Sequence, residues 1–257
     1  MASGAWAVLA HLGLVALTAV VYAAVRPPYP ARLDGYRGPL RWLGGWAYWA
    51  TRPILRAAVR GGWTPSALTW IGLALNVAAG VAAARGAWGW AWVALLWGST
   101  GDLLDGALAR ETGTGSKAGA FLDSNLDRLS EIALLGGFAV GLPAPAGEAW
   151  AVAALAASLM VSYTRARGEG LGVDCPGFGM ERPHRMVLFL FALVVAPFLA
   201  PSAADLLLVI TCGVVAVGAS LTAVARLVVI DRLLRAPPPV AAEEAHGRRG
   251  TQPGGMP

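Results

Sequence analysis

Four aspartates, Asp102, Asp105, Asp123 and Asp127, fall within one stretch, DLLDGALARETGTGSKAGAFLDSNLD at 102–127, between long runs that lack charge almost entirely. In a membrane helix a carboxylate costs about 2.5–3.5 kcal/mol at the bilayer centre, less near an interface, and four together also repel one another. A divalent cation offsets both. Carboxylate oxygens suit hard ions such as Mg²⁺ or Mn²⁺, and no cluster of His and Cys points to zinc. Asp102, Asp105 and Ala109 stand at i, i+3 and i+7, and Gly119, Asp123 and Asp127 at i, i+4 and i+8, so each set shares one helix face. Two adjacent helices joined by a short loop can turn these faces together around one or two ions. Gly106 and Gly119 remove side chains, so a flat or charged ligand can approach the backbone. Arg110 and Lys117 flank the same place and suit phosphate. The pattern predicts a metal–phosphate site.

The elements that must position these residues follow from composition. Of 257 residues, 56% are hydrophobic and 14% charged, and mean hydropathy is +0.58. An ordinary soluble domain carries about a quarter charged residues. These values exclude a disordered chain, a disulfide scaffold and a collagen-like fibre. They predict an all-α integral membrane protein. The net charge of +5 and pI near 9.8 come without basic clusters interleaved with aromatics on a polar domain, so a membrane reading fits and nucleic acid is not expected. Residues 1–25 hold the first apolar span, without the basic n-region of a cleaved signal, and are predicted to be a retained transmembrane helix. Residues 26–62 alternate Arg26, Arg32, Arg37, Arg41, Arg52, Arg56 and Arg60 with Leu40, Trp42, Trp46, Tyr48, Trp49 and Ile54, which predicts an amphipathic helix lying in the headgroup region.

Residues 63–235 carry the catalytic part, with six further spans predicted. Thr64 caps the first and Pro65 takes its first position; it runs to about 84. The others cover about 87–110, 119–141, 149–167, 184–200 and 203–230. The tail 236–257, with three consecutive prolines, is expected to be disordered. With 26–62 in the cytoplasm and each span reversing direction, all of the 20 basic residues except Arg85 fall on the cytoplasmic side, as the positive-inside rule requires. The aspartate site then faces the cytoplasm.

After the fourth of these spans the chain reads SYTRARGEGLGVDCPGFGMERPHR, 162–185. Arg165, Arg167, Arg182 and Arg185 gather cationic charge on the side of the aspartates. A neutral alcohol would not need so many arginines; a phosphate monoester would. Cys175 and Cys212 read as two free thiols. His11 and His246 lie away from the site, whereas His184 sits among the arginines, where acceptor contact and helix-start packing are both open.

The stretch 102–127 fits D-x2-D-G-x2-A-R-x8-G-x3-D-x3-D at every fixed position and thereby resembles the CDP-alcohol phosphotransferases. The wider resemblance covers about 61–232 and includes Thr64-Pro65-Ser66-Ala67-Leu68-Thr69, where Ser66 replaces the family's usual asparagine. The resemblance implies transfer of a phosphatidyl-type group from a CDP-linked lipid, such as CDP-diacylglycerol, to an alcohol, with release of CMP and a need for Mg²⁺ or Mn²⁺. It implies that Asp102, Asp105, Asp123 and Asp127 hold metal and that Asp127 is also the general base. It implies a nucleotide and CDP-lipid site at Ser66, Thr69, Asp105, Gly106, Ala109, Arg110, Lys117 and Gly119. The segment 162–185 is similar to that of phosphatidylinositol-phosphate synthases: Ser162, Tyr163, Arg165, Ala166, Arg167 and Glu169 match, as do Glu181, Arg182, Pro183 and Arg185. Gly168 and His184 depart from it. Inositol 1-phosphate is the acceptor expected, with glycerol 3-phosphate next. The family also implies a homodimer.

Two other classes share part of this pattern. Membrane prenyltransferases also bind pyrophosphate through aspartates and Mg²⁺, but their two aspartate motifs lie far apart in sequence. A non-enzymatic ion-pathway protein would explain intramembrane acids but not Gly106, Ala109, Arg110 and Gly119 at fixed offsets.

Overall fold

The computed structural model describes residues 2–29, 37–174 and 177–235, and only the backbone of Ala2, Ser3, Pro39 and Leu40. The expected disordered tail with His246, the thiol of Cys175 and the side chains of Arg32 and Leu40 lie outside the described residues. Among the described residues the chain is helical and has no strand. The helices are α1 (Ala2–Val25), α2 (Gly38–Arg60), α3 (Pro65–Ala84), α4 (Trp88–Thr112), α5 (Lys117–Gly141), α6 (Ala146–Gly170), α7 (Arg182–Val195) and α8 (Pro201–Arg235). Stretches of α1, α3, α6 and α8 are long and apolar enough to cross a membrane.

Helix starts follow the signals in the sequence. Thr64 accepts the Ala67 N–H at 3.2 Å, with Pro65 in the first helical position. The expectation of a helix at 184–200 is corrected at its end. Pro197 cannot donate the helical hydrogen bond and clashes with the preceding turn, so α7 stops at Val195 and a 3₁₀ turn, Ala196–Phe198, follows. With 14 residues, α7 is only roughly 21 Å long. The expected span of about 149–167 is longer at both ends, since α6 runs from Ala146 to Gly170 and carries Arg165 and Arg167 in its last turns.

α3 is the spine of the site. Both α4 and α5 lie along it, and they make little direct contact with each other. Small residues permit this. A Cβ at Gly137 would collide with the carbonyl of Gly80, and one at Gly141 with the carbonyl of Ala83. These glycines recur at helical spacing, as expected where apolar surroundings leave close backbone packing to hold helices together. On the other face, a Cβ at Gly101 would lie 3.2 Å from Gly72 Cα, beside Asp102. Phe138 stacks at a tilt on Trp88 and Phe189 and ties α5 to α4 and α7 in the main core. α8 pairs with α6 along its length.

The segment 26–62 contains the expected amphipathic helix. α2 buries Leu55 and Ala58 against Leu68, Leu104 and Leu108, while Arg52, Arg56 and Arg60 stay exposed. α1 packs on α4 and α2. Its Gly4 meets Gly89 backbone to backbone. His11 accepts the Trp97 indole N–H at 3.1 Å, and Tyr22 sits edge-on to Trp42.

Candidate active site

The turn between α4 and α5 is short because its ends are built for it. Gly113 closes α4 with φ of 66°, a left-handed value that glycine adopts without penalty. Ser116 opens α5 by accepting the Gly119 N–H at 3.0 Å. This turn roofs a cavity of about 440 Å³ between α3, α4 and α5. Its wall includes Ser66, Thr69, Asp105, Gly106, Ala109, Arg110, Gly119 and Asp123. Every residue expected to meet the nucleotide is therefore brought to one cavity except Lys117, which is exposed at the first position of α5 and outside the wall. Thr69 donates its hydroxyl to Asp105 Oδ2 at 2.8 Å in buried surroundings. Arg110 lies over Gly106, with Nη1 3.3 Å from where a Cβ would stand.

A second cavity, of about 250 Å³, adjoins Asp127 one turn further along α5. Its wall includes Arg165, Arg182 and Arg185 as expected. Arg167 is exposed and does not line it. His184 is exposed as well, its backbone N–H bonded to Glu181. The wall also includes Arg128, Glu131, Glu181 and Arg226, which the sequence reading missed. Arg226, 0% exposed inside α8, donates to the Val161 carbonyl at 2.9 Å and pairs with Glu181. Arg185, 0% exposed, gives Nε and Nη2 to Glu131 Oε1 at 2.9 and 2.7 Å, and Nη1 to the Met180 carbonyl at 2.8 Å. The signal for Arg226 in the sequence is an arginine inside an apolar helix, a rare placement that marks function or pairing.

The cavities differ in charge. The first carries Asp105 and Asp123 against Arg110, a formal balance of −1. The second carries five arginines against Asp127, Glu131 and Glu181, a balance of +2. Arg182 links the two regions: its Nη1 is 2.9 Å from both Asp102 Oδ2 and Asp127 Oδ1. Asp102, Asp105 and Asp127 each also feel the charge of Asp123. Among the described residues no three acidic, His or Cys side chains stand converged as a closed metal cage. The donors nonetheless fit a hard divalent ion, since they are carboxylate oxygens on facing helices. Two of them already accept a cation, and a cavity of net −1 needs added positive charge to hold a pyrophosphate.

Comparison with known proteins gives this geometry a family. Residues 63–218 match the CDP-alcohol phosphatidyltransferase domain. The chain is 36% identical over 190 residues to the phosphatidylinositol phosphate synthase of Streptomyces avermitilis, covering 70% of this chain and 77% of that one. Its fold is similar to crystal structures of the Mycobacterium tuberculosis phosphatidylinositol phosphate synthase. The form with CDP-DAG bound gives a TM-score of 0.63 at 30% identity, covering 70% of this chain and 92% of that one. The form in complex with manganese and citrate gives 0.63 at 31% identity, covering 70% and 88%. With the motif intact on α4 and α5 and the matching domain spanning most of the chain, this integral membrane protein belongs to the CDP-alcohol phosphatidyltransferase family, a divalent-metal-dependent class of enzymes.

Proposed function

We propose that the chain transfers the phosphatidyl group of CDP-diacylglycerol to inositol 1-phosphate and releases CMP, at a site facing the cytoplasm. The observation that carries this reading is the pairing of two cavities across Asp127. One is walled by the family motif; the other, at +2, matches a phosphate monoester.

In this reading Gly106, Ala109 and Gly119 leave room for the cytidine nucleotide, with Ser66 and Thr69 beside it and Arg110 against phosphate, while Lys117 adds charge from outside the wall. Asp102, Asp105, Asp123 and Asp127 hold one or two Mg²⁺ or Mn²⁺ ions. Bound there, the ions would neutralise the pyrophosphate and make CMP a better leaving group. Arg165, Arg182 and Arg185 draw the acceptor phosphate into the second cavity, and Arg167 adds charge at its approach. Asp127 orients the acceptor hydroxyl. That oxygen forms a bond to the lipid-side phosphorus, the bond from that phosphorus to the CMP oxygen breaks, CMP leaves with the electron pair, and Asp127 takes the hydroxyl proton late in the step. Positioning and electrostatics supply most of what such a transfer needs. Two copies of the chain are expected to associate, which cross-linking in lipid tests.

The test is CMP release by the purified protein with CDP-diacylglycerol and Mg²⁺ or Mn²⁺, one acceptor per tube: inositol 1-phosphate, glycerol 3-phosphate, free inositol or serine. Turnover with inositol 1-phosphate supports the proposal. Turnover with glycerol 3-phosphate alone keeps the arginine pocket and changes the product. Turnover only with an unphosphorylated alcohol sinks the reading of the arginines.

A further inference from the structure

The second cavity contains an acceptor atom with no complement in the protein. Glu131 is 1% exposed, and both N–H groups that reach it from Arg185 go to Oε1. Its other oxygen, Oε2, is buried and has no hydrogen-bond partner among the described residues. A buried, unpaired carboxylate oxygen is costly, and an ionised carboxylate can only accept. A phosphate, itself an acceptor, cannot satisfy it; a hydroxyl can. Two donors in the same wall, Arg182 Nε and Arg226 Nε, are likewise buried and without partners among the described residues. The unsatisfied set, two donors and one acceptor, complements a molecule that carries both phosphate and hydroxyl groups.

Position along α5 sharpens this. Glu131 is one turn beyond Asp127 on the same helix, about 6 Å along the axis, and both line the cavity. A six-membered ring bears hydroxyls on opposite sides. It can therefore present one to Asp127 and another to Glu131. Glycerol 3-phosphate has a single hydroxyl left, on the carbon next to the one that reacts, and staggered oxygens on adjacent carbons lie under about 4 Å apart, short of that spacing.

We infer that Glu131 is a specificity-determining residue: its Oε2 accepts a hydrogen bond from a ring hydroxyl of the acceptor and so favours a polyhydroxylated ring over a short phosphorylated alcohol. This rests on the acceptor class proposed above. Arg185 is the positioning residue, holding Glu131 by the opposite oxygen.

The experiment is a cycle of kcat/KM values crossing Glu131→Gln with a series of monodeoxy inositol 1-phosphates, with CDP-diacylglycerol saturating. On the unsubstituted enzyme at least one deoxy analogue loses about tenfold or more. The same analogue loses clearly less on E131Q, about threefold or below, because the charged acceptor is replaced by an amide N–H whose bond to a hydroxyl is weaker, and the KM for CDP-diacylglycerol does not move. The inference is overturned if no analogue is penalised, or if every analogue loses as much on E131Q as on the unsubstituted enzyme; Oε2 then faces water only, and Glu131 merely holds Arg185. Should E131Q not purify folded, Glu131→Asp takes its place in the cycle, keeping the charge for Arg185 while withdrawing the oxygen. No turnover of inositol 1-phosphate by the unsubstituted enzyme would instead count against the proposed acceptor class, a result that the analogue series cannot mimic.

Discussion

Replacing Arg182 by glutamine should strengthen the site's response to metal while weakening its catalysis. A single guanidinium nitrogen lies 2.9 Å from Asp102 Oδ2 and 2.9 Å from Asp127 Oδ1. The two oxygens are therefore no further apart than twice that distance. Two like unit charges so placed repel by about 3 kcal/mol at an effective dielectric near 20. Arg182 and both aspartates are about one-fifth exposed, so bulk water screens little of this. The assay is thermal unfolding of purified protein in detergent, with EDTA and then with Mn²⁺. In EDTA the variant should melt roughly 6–12 °C lower, the shift that about 3 kcal/mol produces in a chain of this size. Mn²⁺ neutralises the same oxygens, so the rise in Tm on adding it should be larger in the variant than in the unsubstituted protein. If the proposed acceptor holds, the KM for inositol 1-phosphate should rise about tenfold or more, the loss that follows from removing the proposed charge-assisted hydrogen bond to its phosphate. Equal melting in EDTA, or a Mn²⁺ response no larger in the variant, would refute the idea that Arg182 balances this pair.

Asp127→Asn should fold and still bind CDP-diacylglycerol but nearly abolish CMP release in a single-turnover assay. Thr69→Val removes the hydroxyl that meets Asp105 at 2.8 Å; CMP release should show a KM for CDP-diacylglycerol raised about tenfold. Gly137→Ala sets a methyl against the Gly80 carbonyl, and thermal unfolding should register a loss of about 1–3 kcal/mol, the usual result of overpacking. His11→Phe loses the bond from Trp97; hydrogen bonds between membrane helices average only about 0.6 kcal/mol, so CMP release should match that of the unsubstituted enzyme.

The motif on α4 and α5 was legible because its chemistry is local. Fixed offsets on two consecutive helices place the carboxylates on shared faces, and Thr64 and Pro65 mark a helix start by side chain and ring. The spine was not legible. The expectation that α4 and α5 turn their faces together across one loop missed that each leans on α3, because glycine and alanine at helical spacing give no sign of which helix they meet. The second cavity was read only in part. Arg185 is expected at the acceptor and reaches that cavity, whereas Arg226 is expected only as cytoplasmic charge; both are fully buried, paired with Glu131 and Glu181, 54 and 45 positions away in sequence. Arg167 resembles its neighbour Arg165 in type and motif, but two steps along a helix turn it away from the cavity.

The contact between His11 and Trp97 joins residues 86 positions apart, which gives it a history during synthesis. At about 5–20 residues per second, that separation takes about 4–17 s to translate. For most of that interval α1, which ends at Val25, is complete while the indole that satisfies its imidazole does not yet exist. The same holds for Gly4, whose backbone neighbour Gly89 is made later still than α2 and α3. α1 must therefore wait in the membrane with a polar edge uncovered, and α4 arrives as the element that releases it from waiting. Assembly of the α1 side thus closes only when the helix bearing Asp102 and Asp105 is inserted, and a chain stalled before α4 would leave α1 held by α2 alone.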